Sequence, residues 1–423
     1  MKDFRLALVQ HASSVRAKDA NLAATMAAVR KAAKGGAVRL HFAPAATWIL
    51  ATGEASAGAR PRGTYAPPAR AQSVLRIGGS WNGRRLDPNA ITLDFARYST
   101  DGGRTFSEAE PVIGIHERFT RTRWSGPLAL AFDLKVEQAP AQASLVLEQP
   151  EMYSRIDVNG RPVRFEGGTC YRDIAFRTAD VSDLLEEGEN TIALALNYVA
   201  AVPDSLDAYE RYGTEIESVY LVGDFGVRAT PSAEPPGETQ RNSTGFLPAR
   251  PVHRFSAFAI AGEAATFKGD LAPQGYPFYA GRFELTRSFE ARSVDRRARY
   301  FLALPAVEAV VVLAELNGKA LPPMAWSPME VEVTGLLRKG RNDLKLTLVN
   351  SLRNLLGPHH RAGGEHTAVS PSSFSGVGSW TDKGADEKRW YDARLSGKTR
   401  TWVDDYFCIP LGLLEPARLL RRQ

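Results

Sequence analysis

Three histidines and a carboxylate lie close together in the sequence, and their side chains could support metal chemistry. His359, His360, Glu365 and His366 fall within eight residues. Imidazole and carboxylate groups are common ligands of divalent metals, but this spacing is not that of a recognised site. We therefore expect the histidines to hydrogen-bond within a loop, and we predict neither a metal nor another cofactor.

A second group of candidates follows in the same stretch, and its side chains suit sugar binding. Aromatic faces stack on sugar rings, while planar polar groups bind hydroxyls. Residues 357–400 are long, polar and rich in glycine and serine, which is typical of a functional loop. We predict that this loop contacts carbohydrate through Trp380, Asp382, Asp386, Arg389, Trp390 and Tyr391.

Two further tryptophans have neighbours of the same kind. Trp81 stands near Asn82, Arg84 and Asn89, and Trp326 lies in an Ala-Trp-Ser-Pro stretch. The alternative for any tryptophan is a structural role as an anchor of the core. We favour that role for Trp326.

Carboxyl groups are plentiful, but the sequence does not pair them. Glycoside hydrolysis needs two such groups about 5–10 Å apart on either side of the bond. We expect most of them to be surface charges or hydrogen-bond partners, so the catalytic residues stay unassigned. The acids considered are Asp94, Glu117, Asp173, Glu217, Asp224 and Glu284.

Composition excludes several classes of protein. The net charge of +6 arises from 53 basic residues spread among 47 acidic ones, so nucleic-acid binding is not indicated. Two cysteines, Cys170 and Cys408, exclude a disulfide framework. No apolar run is long enough to span a membrane, and the start lacks a signal peptide. We expect a cytoplasmic protein as the sequence is written, or a secreted one if this N-terminus is not native.

Two stretches of the chain are nearly the same. Asn159-Gly160 is followed by Leu184-Leu185, Gly188 and Asn190, and Asn317-Gly318 is followed by Leu336-Leu337, Gly340 and Asn342. Asn-Gly between β-forming runs predicts a hairpin, because both residues tolerate positive φ. Leu-Leu-x-x-Gly predicts one helical turn that ends at a glycine. The chain therefore contains a duplicated β module.

This repeated pattern resembles the galactose-binding-like jelly roll that accompanies the catalytic barrels of family 2-type glycoside hydrolases. Further segments resemble the C-terminal part of large bacterial glycosidases of the α-L-rhamnosidase-like group. The resemblance covers roughly residues 75–415. Those segments are residues 87–94, 220–227, 276–281 and 350–360.

The first residues resemble a different family. A strand at 4–9, a helix from Asp19 and a strand at 38–42 are similar to the start of carbon–nitrogen hydrolases (nitrilases). In that family the second strand leads to a catalytic glutamate, whereas here it leads to Ala43-Pro44-Ala45. The catalytic residues are therefore missing, and we expect no nitrilase activity.

The predicted fold is mainly β: two galactose-binding-like jelly-roll β-sandwiches after a short N-terminal βαβ segment. The expected ranges are 1–46 for the βαβ segment, 47–72 and 229–246 for linkers, and 73–228 and 247–423 for the two sandwiches. We predict a non-catalytic, carbohydrate-binding accessory portion of a glycoside hydrolase that lacks its barrel. The expected partners are carbohydrate, with rhamnose- or galactose-containing glycans as candidates, and a separate catalytic domain. The alternatives are a glycosidase with its site between the modules, and a structural or protein-interaction role.

Overall fold

The computed structural model describes residues 71–202, 213–234, 237–238, 251–357, 359–360 and 403–422. The predicted βαβ segment at 1–46 and the linker up to residue 70 lie outside these residues. The six predicted sugar-contacting residues, Trp380, Asp382, Asp386, Arg389, Trp390 and Tyr391, also lie outside them, as do Glu365 and His366.

Strands make up most of the described chain. The first half contains β1 (Gln72–Ile77), β2 (Trp81–Arg85), β3 (Asn89–Leu93), β4 (Phe95–Ser99), β5 (Glu110–Pro111), α1 (Val112–Thr122), β6 (Gly126–Val136), β7 (Ala143–Glu148), β8 (Tyr153–Val158), β9 (Arg161–Pro162), β10 (Phe176–Asp180), β11 (Gly188–Tyr198), β12 (Val219–Gly223) and β13 (Gly226–Pro231). The second half contains β14 (Gly237–Glu238), β15 (Pro251–Ala261), β16 (Thr266–Phe267), β17 (Arg282–Ala291), β18 (Arg299–Ala303), β19 (Val307–Glu308), β20 (Val311–Leu316), β21 (Lys319–Ala320), β22 (Glu330–Glu332), β23 (Gly340–Val349), α2 (Arg353–Leu356), β24 (Tyr406–Cys408), β25 (Gly412–Leu413) and β26 (Ala417–Arg422). Short 3-10 turns occur at Pro150–Met152, Ser182–Leu184 and Ala272–Gln274.

The first hydrophobic core lies between two sheets. One has the strand order β10-β7-β12-β3, and the other has the path β13-β15-β6-β11-β8-β9. Along β11 the side chains alternate, with Ile192, Leu194 and Leu196 buried in the core. This period of two is what a strand with one covered face requires.

The second core has the same construction. It lies between a four-stranded sheet, β1-β26-β18-β22, and a six-stranded sheet, β16-β2-β17-β23-β20-β21. Along β23, Leu344, Leu346 and Leu348 are buried in this core. The mainly β prediction is confirmed, and packed antiparallel sheets of this kind agree with β-sandwiches. The jelly-roll connection and the division into two domains stay predictions.

The predicted repeat has a matching structure at both copies. Asn159 and Asn317 have φ near +53° and +54°, and each begins a two-residue hairpin turn. The Asn159 side-chain amide donates to Asn190 Oδ1 over 2.8 Å, and that of Asn317 donates to Asn342 Oδ1 over 2.9 Å. A network that recurs with the same partners shows that the two stretches fold alike.

Strand pairing differs from the expected ranges at both ends of the first module. β1 pairs with β26, and β2 pairs with β17, so residues 72–85 pack in the second core. Conversely, β15 belongs to the expected second module but pairs with β13, and its Phe255 and Ile260 pack in the first core. Each core therefore includes strands from the other half of the sequence. Local sequence patterns do not predict this long-range pairing.

Two local expectations also differ from the structure. The expected linker at 229–246 begins inside β13, and β14 pairs with β15 within it. Helix α1 is not among the predicted elements, although Val112, Ile115 and Phe119 are buried and follow helical spacing. In the part of the chain that the structure describes, no helix has the length and hydropathy to cross a membrane.

Candidate functional site

A cleft of about 260 Å³ opens in the larger sheet of the first core. We call it the β6/β15 cleft. Its floor comes from β3, and its walls come from β4, β6, β15 and β24. The lining residues are Ile91, Thr92, Leu93, Phe95, Asp133, Leu134, Ser256, Ala257, Phe258, Asp404 and Tyr406.

The cleft exists because two strands meet β6 at different ends. β4 pairs with β6 as far as Arg97 opposite Ala131. β15 pairs with β6 only at Ala259 and Ile260, opposite Lys135 and Val136. Among the described residues, no strand pairs with this side of β6 between those two contacts. Leu93 of β3, in the sheet behind, is partly exposed at this gap, whereas Ile91 and Thr92 stay buried.

Three aromatic side chains form the walls of the β6/β15 cleft. The rings of Phe258 and Tyr406 meet edge to face with centroids 4.9 Å apart. Behind them, the buried Phe278 contacts Phe258 in the same way at 4.5 Å. Phe95 contacts the His360 ring at 5.3 Å. Edge-to-face packing of this kind holds each ring in one orientation.

A mostly buried carboxylate contacts these aromatic side chains. The Tyr406 hydroxyl donates to Asp94 Oδ1 over 2.6 Å. His360 Nε2 lies 2.9 Å from Asp94 Oδ2, and His359 Nδ1 lies 3.6 Å from the same oxygen. Both histidines are nearly fully buried. Asp94 therefore joins the β3–β4 turn to residues more than 260 positions later.

The surroundings of Asp94 decide its protonation. Burial alone would raise the pKa of Asp94, but the charge of His360 and the two neighbouring imidazoles hold that pKa well below its usual range. Burial and the Asp94 charge together raise the pKa of Tyr406 well above its usual value. Asp94 is thus ionised and Tyr406 is neutral at neutral pH.

The remaining nitrogens of the two histidines bond to backbone carbonyls. His360 Nδ1 lies 3.1 Å from the carbonyl oxygen of Asp405, and His359 Nε2 lies 2.8 Å from that of Asn354. Because a carbonyl oxygen only accepts, both of these nitrogens carry a proton. The expectation of hydrogen bonds to a loop is confirmed for His360, whereas the backbone partner of His359 lies in α2.

A second acid stands at the rim of the cleft and is held by an ion pair. Arg97 donates two hydrogen bonds of 2.7 Å to the Asp133 carboxylate. Thr191 donates a third from β11 over 2.9 Å. The Arg97 hydrogen bond is the main cause that lowers the pKa of Asp133. Asp133 therefore presents an ionised, fixed carboxylate to the cleft.

The described residues on either side of the predicted sugar-binding segment lie beside this cleft. The Val403 amide donates to the His360 carbonyl over 3.0 Å, and the Phe407 amide donates to that of His359 over 2.7 Å. The residues that flank 361–402 are thus joined next to Tyr406.

Other sequence candidates have structural surroundings. Trp81 is 4% exposed and packs in the second core, whereas Trp326 is 51% exposed, so the preference for a core role at Trp326 is wrong. The fully buried Asn89 donates to the carbonyls of Phe225 and Gly275. Asp224 pairs with Arg85, and Glu284 pairs with Arg84.

Glu217 lies in a second, smaller cavity of about 20 Å³. A cavity of this size holds a single water molecule. Burial raises the pKa of Glu217 to about 8, helped by a hydrogen bond to Glu148 and by the charges of Glu148 and Glu215. Glu217 is therefore mostly protonated at neutral pH.

Metal ligation has no support among the described residues, because no three His, Cys, Asp or Glu side chains there are arranged to hold an ion. Cys170 is exposed, Cys408 is buried and both are free thiols. Burial raises the pKa of the Cys408 thiol to about 12, so this sulfur is not a nucleophile at neutral pH.

Sequence comparisons identify no relative. No protein-family profile matches the chain, and no curated protein sequence matches it either.

Comparison with solved structures finds partial likenesses to glycoside hydrolases. A rhamnosidase from Novosphingobium sp. PP1Y is 15% identical over 70% of this chain and 23% of its own, with a TM-score of 0.25. A GH2 β-galacturonidase from Eisenbergiella tayi bound to galacturonate is 12% identical over 65% of this chain and 37% of its own, with a TM-score of 0.23. An α-L-rhamnosidase from Streptomyces avermitilis complexed with L-rhamnose is 12% identical over 66% and 24%, with a TM-score of 0.22. Similarity at this level assigns neither a fold family nor an activity.

Proposed function

We propose that this protein binds carbohydrate without cleaving it, and that the β6/β15 cleft is part of the binding surface. The observation that carries the proposal is the composition of the cleft. Aromatic walls from Phe95, Phe258 and Tyr406 surround an opening with the carboxylate of Asp133 at its rim. Rings that stack on sugar C–H surfaces and planar groups that bind hydroxyls are what sugar recognition requires.

The size of the cleft sets the expected affinity. An opening of about 260 Å³ is near the lower limit for small-molecule sites, so it would enclose one or two sugar rings. After the entropy cost of association, such contacts leave a Kd near 1 mM, or about −4 kcal/mol. We expect weak, millimolar binding that multivalent glycans would strengthen.

The carboxyl groups around the cleft favour binding over hydrolysis. Asp94 is held by His360 and Tyr406, and Asp133 is held by Arg97. Glu148 and Glu217 lie in the other, smaller cavity. Both acids at the β6/β15 cleft are thus already held by hydrogen bonds or an ion pair.

Within this proposal, the predicted contacts of Trp380, Asp382, Asp386, Arg389, Trp390 and Tyr391 complete the same surface. The support is that His360 and Val403, which flank their segment, bond to each other beside Tyr406. A separate catalytic domain is the proposed partner, for which the chain would supply glycan contact.

The test is a calorimetric titration with oligosaccharides that contain rhamnose or galactose. Phe258→Ala should weaken binding at least fivefold. Phe301→Ala is the matched control, because Phe301 is also partly exposed but lies under Arg422 in the other half of the molecule. Equal affinity of wild type and Phe258→Ala would remove the cleft from the binding surface. Turnover of a nitrophenyl glycoside would replace the proposal with the glycosidase alternative.

A further inference from the structure

The bonds around His360 fix the orientation of its ring. Its Nδ1 carries a proton, because the Asp405 carbonyl can only accept. Its Nε2 faces Asp94 Oδ2 at 2.9 Å, and the other oxygen of that carboxyl group accepts from Tyr406. His360 and Tyr406 therefore each hold one oxygen of Asp94 inside the protein.

Asp94 and His360 lie mostly out of reach of water. Asp94 has 13% of its side chain exposed and His360 has 4%. Neither polar group can therefore lose its hydrogen-bond partner without a large cost. The Tyr406 hydroxyl is bound at a fixed point by a short, charge-assisted bond. The His360 ring also packs edge to face on the Tyr406 ring, with centroids 4.5 Å apart.

We propose that Asp94, paired with His360, is the positioning residue of the β6/β15 cleft and fixes the Tyr406 ring as one of its walls. This inference goes beyond the proposed function, although its ligand test rests on that function. Because its hydroxyl donates to Asp94, Tyr406 offers a ligand its ring but no hydrogen-bond donor. The wall therefore favours an apolar sugar face.

The position of the ring is tested by two variants. Tyr406→Phe keeps the aromatic ring but removes the hydroxyl that binds Asp94. Without that bond the ring should move, so the nuclear Overhauser contacts between residue 406 and Phe258 should weaken or vary. Tyr198→Phe is the matched control, since the Tyr198 hydroxyl is also hydrogen-bonded in the same core, 3.0 Å from His116 Nδ1, but Tyr198 does not line the cleft. Contacts to Phe258 that are unchanged in Tyr406→Phe and in Asp94→Asn would overturn the positioning role.

The ligand test separates this inference from the proposed function. If wild type binds glycan, Tyr406→Phe should weaken binding about fivefold, whereas Tyr198→Phe should leave it unchanged. Equal affinities of Tyr406→Phe and wild type would overturn the inference while the proposed function stands. If wild type binds no glycan, the proposed function fails, and the contacts to Phe258 in Tyr406→Phe and Asp94→Asn still decide the role of Asp94.

Discussion

Asn342→Ala should be among the most damaging polar substitutions in the chain. The side chain is fully buried. Its Oδ1 accepts from the Arg338 amide and from Asn317, each over 2.9 Å. Its Nδ2 donates to the carbonyls of Arg338 and Gly340 over 2.8 and 2.9 Å. Alanine would remove all of these bonds and leave their partners without replacement.

The cost follows from the number of bonds. Each net hydrogen bond contributes about 1 kcal/mol, and each buried partner left unsatisfied costs about 1–3 kcal/mol. We therefore expect a loss of about 3–5 kcal/mol in the free energy of unfolding. That is a large share of the roughly 5–15 kcal/mol by which proteins are stable.

Urea unfolding followed by circular dichroism measures this loss. Asn190→Ala should cost a similar amount, because Asn190 makes the corresponding bonds in the first core. Asn82 occupies an exposed position of β2 and serves as the control. Asn82→Ala should change stability by less than about 0.5 kcal/mol, as surface substitutions usually do. A cost for Asn342→Ala as small as that of the control would refute the structural role given to the repeated asparagine.

Three further outcomes are expected. Burial raises the pKa of Glu217 to about 8, so its stabilising contribution is complete below its unfolded pKa and is lost as pH rises through about 8. Glu217→Gln should therefore stabilise the protein at pH 9 by roughly 1–2 kcal/mol after allowance for partial exposure; unfolding curves at pH 5 and 9 that shift equally would contradict this. The pKa of Asp94 is lowered, so Asp94 contributes stability above its unfolded pKa, and this contribution is lost as pH falls. Asp94→Asn should therefore be less stable than wild type at pH 7, and its stability should depend less on pH between 5 and 2. Thermal melts across that range measure both effects, and parallel curves for the two proteins would count against the prediction. A protease site inserted between Glu238 and Pro251 should, when cut, leave two fragments that elute together in size-exclusion chromatography. The reason is that each core takes strands from both sides of the cut. Separate elution of the fragments without denaturant would contradict the shared strands.

The sequence predicts local features where neighbouring residues determine the backbone. Asn-Gly favours positive φ at both positions, so the hairpins at Asn159 and Asn317 are predictable. The period-two patterns of β11 and β23 likewise indicate one buried face.

Long-range pairing is not predictable from these patterns. Nothing near Gln72–Ile77 shows that this strand pairs with Ala417–Arg422. The β6/β15 cleft cannot be predicted from the sequence either. Its aromatic residues, Phe95, Phe258 and Tyr406, look like ordinary strand residues, and only long-range pairing brings them together. Asp94 is one of several candidate acids, and its special role depends on His360 and Tyr406, which are distant in sequence.

The exchange of strands also governs the order in which the protein can fold on the ribosome. The first core contains Cys408 from β24, and the second needs β26, which pairs with the first described strand. Neither core can therefore close before nearly all of the described chain has been synthesised. Until then, β1 remains an unpaired strand that could pair with other chains. We infer that folding is completed only after translation of β26, and that the nascent chain must stay unaggregated until that strand emerges.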